Sequence, residues 1–229
     1  MSAGKIVLLV FGIIILLVSV GLIFGGGALL WANSALTDDE GFFTTRFVQL
    51  EKDSHAIITE SADIDLGAAW IWDCSNLVTF KVEGYSDDPS KQIFVGIAEE
   101  SDLDAYLHNV EHDEIAEFSI YPYDIDYRYH PGSSSPEPPA SQTFWSVSAH
   151  GSGTQSLEWT LDTGTYSLVL MNDDGSAGLD LKASVGAKVP LIFGTGVGFL
   201  IGGVVGLIIG FLMVFLAVRR TWVVSRSQR

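Results

Sequence analysis

The distribution of apolar and polar positions divides the chain into three parts. Two long runs without any charged residue, residues 6–31 and 191–218, flank a middle part whose apolar runs are short. An α-helix of about 20 apolar residues is long enough to cross the hydrocarbon core of a bilayer. The pattern therefore predicts transmembrane helices over residues 6–31 and over residues 190–218, with Pro190 at the first helical position of the second.

The first apolar run also resembles a signal peptide, because Lys5 precedes it and the small residues Ala32, Ser34 and Ala35 follow it. The apolar region of a cleavable signal is only about 7–15 residues long. The length of residues 6–31 therefore favours a retained anchor.

Between the two long runs, short apolar segments are separated by Gly, Pro, Asn, Asp and Ser, which is typical of strands joined by turns. This spacing predicts a mainly β domain, an antiparallel β-sandwich or jelly roll, over residues 32–189. The last three strands are expected to form consecutive hairpins, with a turn at residues 172–175. The predicted strands are residues 43–49, 55–59, 68–72, 77–82, 93–97, 115–121, 125–129, 143–149, 155–161, 166–171 and 179–185.

One short helix is predicted within the β domain, with Ser101 as its N-cap and Asp104 as the capping-box partner. Its apolar positions, Leu103, Tyr106, Leu107 and Val110, follow the helical spacing i, i+3, i+4, i+7. Residues 131–140 contain four prolines and three serines and are expected to form an exposed loop.

Glycine recurs every four residues in the second apolar run, at Gly194, Gly198, Gly202, Gly206 and Gly210. Small residues allow two helix backbones to approach closely in lipid, where burial of apolar surface does not drive helix association. We therefore expect these glycines to line a helix-packing face. Its partner is either the first apolar helix, in which Gly21 and Gly25 share the spacing, or a second copy, or another membrane protein.

Basic residues near the ends of the apolar runs predict the orientation. Lys5 precedes the first run, and four arginines lie in residues 219–229. Because cytoplasmic flanks carry an excess of Lys and Arg, residues 1–5 and 219–229 are expected in the cytoplasm and residues 32–189 outside it. The protein is thus predicted to cross the cell membrane twice. Its first and last strands should start close together.

Charge is concentrated in the middle part. The chain has 28 acidic and 12 basic residues and a net charge of −16, and all 28 acidic residues lie between Asp38 and Asp180. Only seven basic residues lie in that middle part, so a nucleic acid would be repelled. Cys74 is the only cysteine, which excludes an intrachain disulfide.

Two groups of side chains are candidate cation ligands. His108 and His112, followed by Asp113 and Glu114, could present two imidazoles and a carboxylate on one helix face. The pairs Asp63/Asp65, Asp102/Asp104 and Asp124/Asp126 could supply oxygen ligands for calcium. Neither group has the spacing of a dedicated metal site. Histidines on a polar helix face are usually solvated, and surface acid keeps an external domain soluble or reflects a salty environment, so we assign no metal-ligating residue.

Aromatic side chains form the second kind of candidate site. Four tyrosines alternate with charged residues over residues 121–130, and four tryptophans could extend a surface on which sugars stack; the eight are Tyr121, Tyr123, Tyr127, Tyr129, Trp70, Trp72, Trp145 and Trp159. Aromatic residues at period two are more often part of a core.

No catalytic motif is present, so we expect neither enzymatic activity nor a cofactor. Gly-x-Ser-x-Gly is absent, and His150-Gly151-Ser152-Gly153 is better explained as a turn.

Several segments resemble a family of uncharacterised prokaryotic membrane proteins found mainly in actinobacteria. The similar segments are residues 93–98, 102–107, 112–114, 144–145, 153–159 and 166–172. The resemblance implies two membrane spans and an extracytoplasmic β-rich domain, and it implies no catalytic residue.

We therefore predict a membrane-anchored, non-enzymatic accessory or structural subunit that acts by protein–protein interaction, with another membrane protein or with itself. The alternative is a surface module that binds cell-envelope glycan or a cation.

Overall fold

The computed structural model describes residues 3–64, 78–120 and 123–219. The predicted strand 68–72, Trp70, Trp72, Cys74 and Tyr121 lie outside the described residues, as do residues 220–229. The chain divides into a helical unit, residues 1–37 and 190–229, and a β domain, Asp38–Val189.

The helical unit contains two long apolar helices, α1 (Ala3–Ala35) and α3 (Pro190–Val218). Pro190 is the first residue of α3, as predicted. By length and composition, both helices are capable of crossing a membrane. They run antiparallel, since Gly12 lies next to Gly210 and Gly26 next to Gly196.

The β domain is built on two sheets. Among the described residues, the first sheet has the order β1-β12-β5-β10, with β2 also paired to β12, and all of its pairs are antiparallel. Its strands are β1 (Phe43–Thr44), β2 (Val48–Lys52), β5 (Thr79–Tyr85), β10 (Gln155–Thr160) and β12 (Leu179–Lys188).

The second sheet has the order β8-β7-β3-β11-β6-β9 in the described part of the chain, with β4 paired to β11. The β3–β7 pair is parallel, so this sheet is mixed rather than purely antiparallel. Its strands are β3 (Ala56–Thr59), β4 (Ala62–Ile64), β6 (Ile93–Glu99), β7 (His112–Ile120), β8 (Tyr123–His130), β9 (Val147–Gly151) and β11 (Gly164–Asn172).

Two hydrophobic clusters stabilise the β domain. The first contains residues of both sheets, among them Leu50 and Leu181 from one and Ile57, Val95 and Leu170 from the other. The second joins odd-numbered residues of β11, Val169 and Met171, to Leu103, Leu107 and Val110 on and after α2 (Glu100–Tyr106). Strand β11 thus contributes one face to each cluster, which explains its almost continuous burial.

The prediction of consecutive hairpins at the end of the chain is wrong. Strands β10 and β12 both pair with β5, whereas β11 lies in the other sheet between β3 and β6. The turn itself is confirmed, since the Gly175 amide donates to the Asn172 carbonyl at 2.9 Å. The chain passes from one sheet to the other at this turn instead of folding back beside the preceding strand.

The predicted helix is shorter than its apolar spacing indicated. Helix α2 begins at Glu100, its N-cap is Glu99, and no side chain caps it, so the predicted Ser101 cap and capping box are wrong. It ends at Tyr106, and a turn at Asn109, with φ 59°, leads into β7. A second short helix, the 3₁₀ turn Pro139–Ser141, begins within the predicted loop 131–140.

The first and last strands are neighbours, as expected. Strand β1 pairs with β12 through Phe43–Ala187 and Thr44–Gly186. Both ends of the β domain therefore lie at the same edge of the first sheet.

Candidate functional site: the glycine faces of the helical unit

The contact between α1 and α3 uses small residues spaced by seven. On α1 the buried residues are Gly12, Ser19 and Gly26, and on α3 they are Gly196, Gly203, Gly210 and Ala217. A seven-residue repeat keeps small residues on one seam of two helices that wrap around each other. The hairpin is thus packed through a continuous line of small side chains.

Backbone approaches backbone along this seam. A Cβ atom added to Gly26 would lie 2.7 Å from the Gly196 carbonyl oxygen, and one added to Gly203 would lie 2.9 Å from the Ser19 carbonyl oxygen. A Cβ atom at Gly210 would lie 3.1 Å from the Gly12 carbonyl oxygen. These distances leave no room for a larger residue, and close approach of this kind supplies dispersion and weak Cα–H···O contacts in lipid.

Ser19 lies at the middle of the seam with its side chain satisfied within its own helix. It is 2% exposed, and its hydroxyl donates to the Ile15 carbonyl at 2.7 Å. A polar residue in an apolar helix thus packs against α3 without an unpaired donor.

The five predicted glycines are divided between two environments. Gly206 and Gly210 face α1, against Ser19 and Leu16, whereas a Cβ atom at Gly194, Gly198 or Gly202 would meet nothing within 4 Å. The latter three are exposed and form what we call the open glycine face. The division follows from helix geometry, because a four-residue step advances about 40° around a helix of 3.6 residues per turn. Five such glycines cannot share one straight face.

The α1 glycines that share the four-residue spacing take little part in the seam. A Cβ atom at Gly21 would meet nothing within 4 Å, and one at Gly25 would meet only Phe199, at 3.9 Å. Of the seam residues, Gly210 was predicted from the sequence, whereas Gly12, Ser19, Gly26, Gly196, Gly203 and Ala217 were not. Their seven-residue spacing was the signal that would have revealed them.

The candidate histidines lie on different elements. His108 is exposed after the end of α2, whereas His112 begins β7 and stacks on His130 of β8, with ring centroids 4.5 Å apart and an interplanar angle of 4°. Burial, followed by the nearby His130, lowers the pKa of His112 below its ordinary value. The two imidazoles therefore do not share one helix face with a carboxylate, the arrangement that the candidate metal site would have required.

The two residues that follow His112, Asp113 and Glu114, have buried carboxylates with different partners. Asp113 accepts a hydrogen bond from the Ser54 hydroxyl at 2.8 Å, and the Lys52 ammonium lies 3.5 Å away. Glu114 accepts from Arg128 at 2.9 Å and from His130 Nε2 at 2.7 Å. Both carboxylates therefore already have partners: Asp113 joins β7 to the segment between β2 and β3, and Glu114 joins β7 to β8.

The paired aspartates do not converge. Asp102 and Asp104 are exposed on α2, Asp124 and Asp126 are exposed on β8, and Asp63 is exposed on β4; Asp65 lies outside the described residues. Within the described residues, no three His, Cys, Asp or Glu side chains are grouped as a metal ion would require.

The aromatic residues are also separated. Trp145 packs on Phe94 of the second hydrophobic cluster, with 4.8 Å between ring centroids. Trp159 packs on Tyr166 of the first hydrophobic cluster, also with 4.8 Å between ring centroids. Tyr127 packs beside that first cluster, and its ring lies 3.6 Å from the Lys52 ammonium. Tyr129 is 57% exposed and donates to Glu111 at 2.8 Å. The side chain of Tyr123 is not among those described. The described rings form no common stacking surface.

Comparison with known protein families and with curated proteins gives no match to this chain.

Proposed function

We propose that the protein is a membrane-anchored, non-enzymatic accessory subunit that binds another membrane protein through the open glycine face of α3. The observation that carries this proposal is the division of the α3 glycines. Helix α1 covers the seven-residue seam of α3, and Gly194, Gly198 and Gly202 remain uncovered. A second helix could approach α3 at this face as closely as α1 does at the seam.

In the proposed topology, α1 and α3 cross the cell membrane of a prokaryote. Both chain termini then lie in the cytoplasm, and the β domain lies outside it. The basic residues at the chain ends support this orientation. The antiparallel α1–α3 packing and the pairing of β1 with β12 are both compatible with a domain tethered at its two ends. We classify the β domain as a β-sandwich, because residues of both sheets form one cluster. Membership of the two-span family remains a prediction.

The test compares two matched substitutions in the full chain, expressed in its native membrane. Gly198→Leu with Gly202→Leu places branched side chains on the open glycine face, and Gly21→Leu places one on an exposed position of α1. The proposal predicts that a membrane protein co-purifies in fixed stoichiometry with the wild-type chain and with Gly21→Leu, and is lost from the double variant.

The two helices should remain packed in both variants, because none of these positions touches the seam. Circular dichroism and thermal unfolding in detergent provide this control. A complex that survives the double substitution would disprove the proposed docking face. If the chain co-purifies only with further copies of itself, the open glycine face mediates self-association and the proposed accessory function is wrong.

A further inference from the structure

A cleft lies on the β domain between α2 and the paired strands β7 and β8. Its volume is about 180 Å³. The cleft is remote in sequence from the open glycine face. A ligand bound in it would be a function in addition to the one proposed above. Among the residues that line the cleft are Leu103, Asp104, Leu107, His112, Glu114 and Ser167.

One part of the cleft is apolar. Leu103 and Leu107 are 3% and 4% exposed, and Ile58 of β3 packs on the same cluster. A hydrocarbon group of a ligand would be removed from water here.

Two polar groups that line the cleft lack a partner there. Ser167 is 5% exposed, and its hydroxyl has no hydrogen bond to any described residue. It occupies an odd-numbered position of β11, as do Val169 and Met171, so its side chain is on the α2 side of the sheet. The hydroxyl oxygen is not fully enclosed by the protein, so a ligand in the cleft can reach it.

His112 supplies the second such group. Its Nδ1 lies 2.8 Å from the Val110 carbonyl oxygen, which can only accept, so Nδ1 donates. In the neutral ring, Nε2 then carries a lone pair. The lowered pKa of His112, caused first by burial, favours this neutral form.

The charge of the cleft is negative. Asp104 is exposed at its margin without an ion pair to the described residues, and Glu100 accepts only from the Ser61 hydroxyl, at 2.6 Å. Glu114 is compensated by Arg128. No lysine or arginine is found among the described residues that line the cleft. Uncompensated carboxylates attract a cation, and an ammonium group carries three donors for acceptors of this kind.

We propose that this cleft binds a small organic ammonium ion, which donates to Asp104, His112 and Ser167 and packs its hydrocarbon part on Leu103 and Leu107. An ammonium ion is favoured over a metal ion because the acceptors are a mixture of a carboxylate, an imidazole and a hydroxyl beside apolar side chains. A metal ion is not favoured, because no three His, Cys, Asp or Glu side chains of the described residues are grouped as its ligands would be.

The experiment is isothermal titration calorimetry of the purified full chain in detergent with n-butylammonium chloride, corrected by titration into protein-free micelles. n-Butanol tests whether the charge is needed, and calcium chloride tests for a metal ion. The proposal predicts saturable binding of n-butylammonium, weaker binding of n-butanol and no competition by calcium at matched ionic strength.

Asp104→Asn removes the uncompensated charge at the margin, and Asp102→Asn is its matched control, since Asp102 is exposed on the same helix but does not line the cleft. We expect Asp104→Asn to weaken n-butylammonium binding about tenfold or more, and Asp102→Asn to leave it unchanged. Ser167→Val should also weaken binding, and unchanged thermal unfolding would show that this variant still folds.

Three results would overturn the proposal: no saturable binding by the wild-type chain, equal losses in Asp104→Asn and Asp102→Asn, or calcium binding that Asp104→Asn abolishes while n-butylammonium binding persists. Because these variants leave α1 and α3 unchanged, the outcome is independent of the test of the open glycine face.

Discussion

Lys81 shows how single residues hold the ends of the β domain. Its side chain is 5% exposed, and its ammonium lies 2.6 Å from Asp38, 2.9 Å from Glu40 and 3.7 Å from Glu83. Asp38 in turn accepts hydrogen bonds from the amides of Glu40 and Phe42. One strand residue therefore fixes the segment that enters the domain. No sequence pattern indicates these contacts, because they join residues about 40 positions apart.

Lys81→Met should lower the free energy of unfolding by about 2 kcal/mol, because it leaves carboxylates without their buried partner. Lys182→Met is the control: Lys182 pairs with Asp87 at 2.7 Å at the surface, where water screens the attraction, so its loss should change the free energy of unfolding much less. Urea unfolding followed by tryptophan fluorescence measures both. Equal losses in the two variants would contradict the structural importance of Lys81.

The same cluster predicts a dependence of stability on pH. The hydrogen bond from Lys81, above all, lowers the pKa of Asp38 below its ordinary value of 3.8. Its contribution is therefore present above pH 3.8 and is lost as the pH falls through the lowered pKa. Burial opposes the charge of Lys81, but the hydrogen bonds to Asp38 and Glu40 outweigh it and raise the pKa above 10.5.

The Lys81 contribution is accordingly complete below pH 10.5 and is lost as the pH rises through the raised pKa. Thermal unfolding of the full chain at a series of pH values should show stability falling in both ranges. Lys81→Met should flatten both limbs. An unchanged profile in this variant would show that other groups determine the pH dependence.

At the scale of elements, periodicity predicted the positions of helices and strands along the chain better than it predicted which strands pair with each other. The alternation at residues 155–161 corresponds to β10, and the apolar runs to α1 and α3. Strand β4 has only three residues and is too short to show a period. The pairing of β10 and β12 with β5 depends on which sheet each strand joins, and alternation along one strand carries no information about that.

The seven-residue seam predicts different effects on stability for substitutions at two adjacent glycines. Gly203→Leu should lower the stability of the helical unit by about 1–3 kcal/mol, because even a Cβ atom there would lie 2.6 Å from Ile23 Cγ1. Gly202→Leu should have little effect, since a Cβ atom there meets nothing within 4 Å. Unfolding of each purified variant in increasing dodecyl sulfate measures the difference. Equal destabilisation would contradict the packing of α1 on this seam.

At the scale of the whole molecule, the charge map was the most informative feature of the sequence. A chain with all 28 acidic residues between two uncharged apolar runs predicts a polar domain between apolar helices, and the structure separates Asp38–Val189 from the helical parts. The candidate sites were less predictable. His112 and His130 stack because β7 and β8 pair in that register, and the open glycine face depends on which side of α3 the first helix covers.

Native mass spectrometry of the full chain, extracted from its own membrane in a mild detergent, tests the proposed accessory function most directly. We predict a complex with one other membrane protein in fixed stoichiometry, which Gly198→Leu with Gly202→Leu dissociates into the free chain. A wild-type chain that is recovered only as a monomer would contradict the proposal.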